Sequence, residues 1–126
     1  MKHQEYQLQK KVCRYVSLQY PDVLFLSDTV ASVRLSMPQA IRNKQIQKEG
    51  FKCPDLIILE PRGKFNGLFI ELKIKSPYKK NGELLKNEHL EGQQKTMIQL
   101  WARGYEAQFA TGFEEAKMII DKYMKQ

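Results

Sequence analysis

Asp55, Glu71 and Lys73 are the residues whose types and spacing are best suited to chemistry. Asp55 follows Pro54 and opens the short apolar run Leu56-Ile57-Ile58-Leu59; sixteen residues on, Glu71-Leu72-Lys73 sits inside an alternating run. Successive side chains of a strand point to opposite faces. Leu68, Ile70, Leu72 and Ile74 therefore share one face, which reads as core, while Glu71, Lys73 and Lys75 share the other. Residues 61–67 are rich in turn formers, so the two runs read as a hairpin that brings Asp55 beside Glu71. Two carboxylates this close repel, and a hard divalent cation relieves the repulsion. Magnesium or manganese, which favour carboxylate, carbonyl and water ligands, would acidify bound water and stabilise charge on phosphoryl oxygens. Lys73 would orient or deprotonate the attacking water, or neutralise charge developing in the transition state. The chemistry this suits is phosphodiester hydrolysis. The competing reading is an ion pair on an exposed sheet face.

Glu5 adds to the case. It precedes Leu8, Val12 and Val16 by three, seven and eleven residues, on the apolar stripe of the first helix. A carboxylate aimed at a core needs a partner, and a metal site would supply one. The alternative is a helix N-terminal acid that complements the dipole.

The elements that must position these groups follow from periodicity and breakers. Helices are expected over residues 4–19, from Pro38 to about residue 49, over 87–103 and from Phe113 onward; Gly50 and Gly104 act as stops. Strands are expected at 23–26, 31–35, 56–59, 68–74 and 105–111. Residues 76–86 read as polar, basic and mobile. The order implies an α/β fold, a small mixed sheet flanked by helices, in one domain spanning residues 1–126.

Composition bounds the class. With 126 residues, 42% hydrophobic and 28% charged, the chain lies in the globular range and can bury a core without disulfides. No apolar run has the length of a membrane span and no signal-peptide pattern opens the sequence, so the cytoplasm is expected. Cys13 and Cys53 fit no zinc spacing and read as buried free thiols. The net charge of +7 is localised: twelve lysines and arginines and five acids lie between Arg34 and Lys86, with nine of each elsewhere. Nucleic acid is the commonest partner of such a segment, a solubilising surface the bland alternative.

With these residues in hand, the sequence resembles the PD-(D/E)XK nucleases, and more narrowly the VRR-NUC (virus-type replication-repair nuclease) domains of stand-alone bacteriophage type. The resemblance is carried by Glu5, by Lys48 through Cys53, by Pro54-Asp55 and Glu71-Leu72-Lys73, and by the segment from Glu88 through Gly104-Tyr105, with Gln93 or Gln94, and Phe109-Ala110. It departs in one place, Cys53 standing where many members have glycine before Pro-Asp. The resemblance implies a restriction-endonuclease-like core in which Asp55, Glu71 and the carbonyl of Leu72 bind Mg2+ or Mn2+. It makes Lys73 the catalytic lysine and Glu5 an outer or direct ligand, with a glutamine on the next helix beside the site. Spacing to Leu100 and Gly104 favours Gln93; periodicity with Leu90, Met97 and Trp101 turns Gln94 inward; Gln93 is the expectation. The resemblance further implies a homodimeric endonuclease acting on branched DNA, with four-way (Holliday) junctions the leading candidate, in the cytoplasm of a bacterial host. Phosphate contacts are expected from Lys48, Lys52, Arg62, Lys64, Lys75, Lys79, Lys80 and Lys86. The alternatives are a non-catalytic DNA-binding protein on a nuclease scaffold and a protein-interaction module. His3 and His89 lack metal-ligand spacing and read as solvated or hydrogen-bonded; Trp101 reads as core.

Overall fold

The central run at Glu71 forms an inner strand of a sheet, covered on both faces. The computed structural model describes residues 2–28 and 34–126, with side chains from residue 4. Its elements run α1 (Lys2–Gln19), β1 (Phe25–Ser27), α2 (Met37–Ile46), β2 (Leu56–Ile58), β3 (Leu68–Lys73), α3 (Glu88–Trp101), β4 (Glu106–Thr111) and α4 (Gly112–Met124). The strand order is β1-β2-β3-β4. β2 pairs antiparallel with β1 and with β3, while β3 and β4 pair in parallel from Leu68↔Glu106 to Lys73↔Thr111. A parallel pair needs a crossover, and α3 provides it.

The alternation of β3 is answered on both sides. Leu68, Ile70 and Leu72 pack with Leu8, Val12 and Val16 of α1 and with Ala116, Ile119, Ile120 and Tyr123 of α4. On the opposite face Phe69 joins Leu90, Met97 and Leu100 of α3 and Ala107 and Phe109 of β4. Each fully buried aliphatic or aromatic side chain contributes roughly 1.5–3 kcal/mol, so the sheet is clamped from both faces. The turn after α3 closes at Gly104, whose φ of +86° an L side chain adopts only with strain. The Tyr105 amide then donates to the Leu100 carbonyl and leads directly into β4.

Several expectations are corrected. β3 stops at Lys73, so Ile74 and Lys75 fall outside the strand, and Ile74 is exposed rather than core. β1 begins at Phe25 instead of residue 23. Of the strand expected at 31–35, residues 31–33 lie outside the described residues, and Arg34 and Leu35 are not in a strand. α2 ends at Ile46; a capping box between Ser36 and Gln39 holds its start, and none of its residues is buried. Segment 76–86 is a structured turn rather than a loose one. Lys79 and Leu85 donate backbone hydrogen bonds to Glu83 and Pro77, and Tyr78 stands edge-on to Phe109 at 6.0 Å. Trp101 is about half exposed, its Nε1–H donating to the Ala107 carbonyl at 3.0 Å. Cys53 is exposed and Cys13 partly so, not buried thiols. Among the described residues no helix is long and apolar enough to cross a membrane.

Candidate active site

Where β2 begins and β3 ends, the covering helices part over a cavity of about 340 Å³. Its walls are Glu5, Leu8 and Gln9 from α1, Lys52, Cys53 and Asp55 from the segment entering β2, Glu71, Leu72, Lys73 and Ile74 around the end of β3, and His89 and Gln93 from α3. Glu5, Asp55, Glu71, Leu72, Lys73, Gln93 and Lys52, seven residues singled out in the sequence, are thus brought to one place.

The register explains why Asp55 and Glu71 meet. Leu56 stands opposite Ile70, so Leu72 lies beyond the start of β2 and its amide has no ladder partner there. The Asp55 carboxylate takes that place, Oδ2 accepting from the Leu72 N–H at 2.8 Å. The N–H and C=O of one strand residue face the same neighbour, so the Leu72 carbonyl faces the Asp55 edge as well. Asp55 is anchored from behind. Its carbonyl accepts from the Asp28 amide at 3.0 Å, from Ser27 Oγ at 3.3 Å and from Gln9 Nε2 at 3.3 Å.

Glu71 is only 6% exposed. That removes the exposed-sheet ion pair as an explanation of the motif. Burial, then the Asp55 charge and a hydrogen bond with Asp55, push the Glu71 carboxyl up to about 9; Lys73 opposes the shift and Asp28 adds to it. Burial also raises Asp55, against the lowering effects of its bonds to Glu71 and to the Leu72 amide and of Lys73. The pair thus binds a proton between two acids that cannot both ionise cheaply. Neither ion pair among the described residues involves Asp55, Glu71 or Lys73. Lys73 Nζ stands 5.8 Å from the Phe109 ring centroid.

On α3, Gln93 is 6% exposed, and among the described residues its Oε1 has no hydrogen-bond partner. Its Nε2 lies 3.2 Å from His89 Nε2. Burial, then Lys73 and Lys52, lower the His89 pKa and favour the neutral ring. Gln94 is partly exposed and does not line the cavity. Glu5 lines it but is exposed, so the expectation of a carboxylate aimed into the core is corrected to one on the cavity rim. Among the described residues no three His, Cys, Asp or Glu side chains form a metal-holding group. A cation here would need the Leu72 carbonyl and water beside Asp55 and Glu71.

The expected phosphate contacts divide. Lys52 lines the cavity, and Lys75, Lys79, Lys80 and Lys86 belong to the segment joining β3 to α3 just beyond it. Arg62 and Lys64 lie in the turn at the far end of β2 and β3, the length of β3 away, roughly 17 Å. Arg62 pairs there with Glu60 at 3.3 Å, and Lys64 stands 5.6 Å from the Phe65 ring centroid. Lys48 is exposed between α2 and β2.

Gln9, Asp28, Cys53 and His89 were not singled out as site residues. Gln9 is four residues after Glu5 and His89 four before Gln93, so shared helix faces were the signal that could have found them. The site end of Asp28 depends on β1 pairing, which carries no local mark.

A mixed sheet with α1 and α4 on one face, α3 on the other, and polar groups gathered at the carboxyl end of β3 defines a restriction-endonuclease-like architecture. Among solved structures, one described as a VRR_NUC domain protein matches 94% of this chain and 88% of its own, with a TM-score of 0.57 and 23% sequence identity. The chain therefore has the VRR-NUC fold. No family model matches the sequence, and no curated protein matches it at significance.

Proposed function

We propose that this protein is a divalent-metal-dependent nuclease that hydrolyses phosphodiester bonds, acting as a structure-selective endonuclease on branched DNA such as four-way junctions. The observation that carries this reading is the Asp55–Glu71 pair: a buried Glu71 carboxyl against a partly buried Asp55, both raised in pKa, neither in an ion pair among the described residues. A stable fold gains nothing from that arrangement alone. The shared fold and the positive excess between Arg34 and Lys86 support the same reading.

The donors fit Mg2+ or Mn2+. Asp55, Glu71 and the Leu72 carbonyl are hard oxygen ligands, and ions of this kind keep waters in the rest of their shell. Such an ion, when bound, lets both carboxylates ionise, acidifies water and stabilises charge on the phosphoryl oxygens. The protein's own groups do the rest. Asp55, fixed by Gln9 and the Leu72 amide, and Glu71, fixed by burial, hold their oxygens at set positions. Lys73 orients the attacking water and offsets charge building on the phosphate. The free Gln93 Oε1 accepts a hydrogen bond from that water or its neighbour. Glu5, on the rim, orders outer waters.

Lys75, Lys79, Lys80 and Lys86 contact backbone phosphates, which position a duplex without reading its sequence. A twofold dimer would present two such sites to the paired strands of a symmetric junction. The test is cleavage of a panel of four-way, flap, splayed and linear DNAs with Mn2+, Mg2+ or EDTA, beside Lys73→Ala. Metal-dependent cutting of branched DNA that Lys73→Ala abolishes supports the reading. Binding without cutting would make the protein a non-catalytic binder, and neither would remove DNA altogether.

A further inference from the structure

Gly92 lies inside α3 and is not among the glycines with positive φ. Nothing in its backbone calls for glycine, and alanine would favour the helix by about 1 kcal/mol. The reason for glycine lies across the groove. A Cβ at position 92 would overlap Cε of Lys52 and stand 3.1 Å from its Cδ. Lys52 is exposed, and the flexible end of its side chain lies over the space that glycine leaves, a notch from which alanine would displace it at little cost.

The base of Lys52 is fixed to the same helix one turn on. Its backbone N–H donates to Thr96 Oγ1 at 2.9 Å, and Thr96 is 1% exposed. The lysine is therefore fixed to α3 by its backbone at Thr96 and lies against the helix with its side chain at Gly92, one turn earlier. Its own side chain is in neither of the ion pairs among the described residues. It borders both the cavity that holds Asp55 and Glu71 and an adjoining open groove with His89 and Lys95. Glu88 and Glu91 also line that groove, so the positive charge is local to Lys52 and Lys95 rather than spread over a patch. A free lysine stem samples many rotamers, with about 2 kcal/mol of side-chain entropy. Seating it in a notch directs its ammonium.

We propose that Lys52, seated in the Gly92 notch, is a substrate-positioning residue that holds the backbone phosphate next to the one cleaved, guiding the strand from the groove into the cavity. This rests on the nuclease reading above. It makes Gly92 a residue kept at a cost to helix stability for the sake of binding.

The test measures binding of a labelled four-way junction with Ca2+ over a range of salt, for wild type, Gly92→Ala, Lys52→Ala and the double variant, with thermal melts of each. Gly92→Ala should melt at or above wild type, yet bind about five- to tenfold more weakly. Lys52→Ala should match that loss, each lowering the slope of log affinity against log salt by about 1. The double variant should be no weaker than Lys52→Ala, because both changes remove one contact. In Mn2+ cleavage the loss should fall on KM rather than kcat. If wild type binds and cuts while Gly92→Ala binds equally well, or the two losses add, the notch is overturned and the nuclease reading stands. If wild type neither binds nor cuts DNA, both fall. Should Gly92→Ala not fold, Lys52→Met, which keeps the stem, decides: unchanged affinity and salt slope overturn the proposal.

Discussion

Two carboxylate sites in this molecule are built in opposite ways. Asp121 on α4 is surrounded by donors: Tyr15 and Tyr20 hydroxyls donate to Oδ1 at 2.6 and 2.7 Å, and Lys117 Nζ stands 3.4 Å from Oδ2. Burial would raise its pKa, but those bonds and the Lys117 charge outweigh it and hold the carboxyl below its ordinary value. Asp55 and Glu71 are more deeply buried and have each other, one backbone amide and the influence of Lys73; both are pushed up. The first is an acid completed by the fold. The second is a pair the fold leaves short of positive charge. That shortage of positive charge is what separates the two sites.

The two sites should respond differently to substitution, pH and metal. The largest expected effect is on cleavage: Lys73→Ala or Glu71→Ala should lower the single-turnover rate about 10²–10⁴-fold, with junction binding changed less than about tenfold. Asp121→Ala should leave the rate per folded molecule within about twofold, since α4 holds it away from the cavity. The next effect reverses the roles. Asp121→Ala strands two tyrosine hydroxyls and should cost about 2 kcal/mol in urea unfolding. Cleavage-site variants should show no comparable loss.

Smaller, but more diagnostic, is the pH dependence of stability without metal. Glu71 has an ordinary value of 4.5 and is raised to about 9 in the folded chain. Between those limits the unfolded chain releases a proton that the folded chain keeps, so stability falls as pH rises. Asp121 has the opposite sign: its depressed value contributes stability above its ordinary 3.8, lost as pH falls through the folded value. In EDTA, Glu71→Gln should flatten the alkaline decline and raise the melting midpoint at pH 8 by roughly 3–6 °C, for about 1 kcal/mol. Asp121→Asn should flatten only the acid limb. A wild-type midpoint that does not fall from pH 5 to pH 9 would remove the contrast. The smallest effect belongs to the far end of the sheet, where Lys64→Ala should change junction affinity by less than about twofold, as anisotropy would measure.

Much of this was legible in the sequence, and the reasons are local. Alternation from Leu68 to Lys73 and the turn-rich 61–67 were enough to bring Asp55 beside Glu71, because a hairpin converts sequence separation into contact. Helix spacing put Glu5 on the face of α1 that looks toward the sheet, although its position in the first turn leaves it at the rim. What could not be read was what lies over the polar face of β3. Glu71 meets His89 and Gln93 of α3 only once the crossover between β3 and β4 closes, so burial of the acid, and with it the pair's shifted pKa, is a tertiary property. The ordering of segment 76–86 arises similarly, since its basic composition hides the Tyr78–Phe109 contact. The proximity of Gly92 to the Lys52 side chain, forty positions earlier, is likewise visible only in the fold.

The central claim is that Asp55 and Glu71 form a divalent-cation site, and Mn2+ titration followed by thermal unfolding tests it most directly. Wild type should gain stability with added Mn2+, by about 2.7 kcal/mol at one hundred times the dissociation constant, while Glu71→Gln gains little and Asp121→Asn responds as wild type does. A wild-type midpoint indifferent to Mn2+, or an equal gain in Glu71→Gln, would contradict the account.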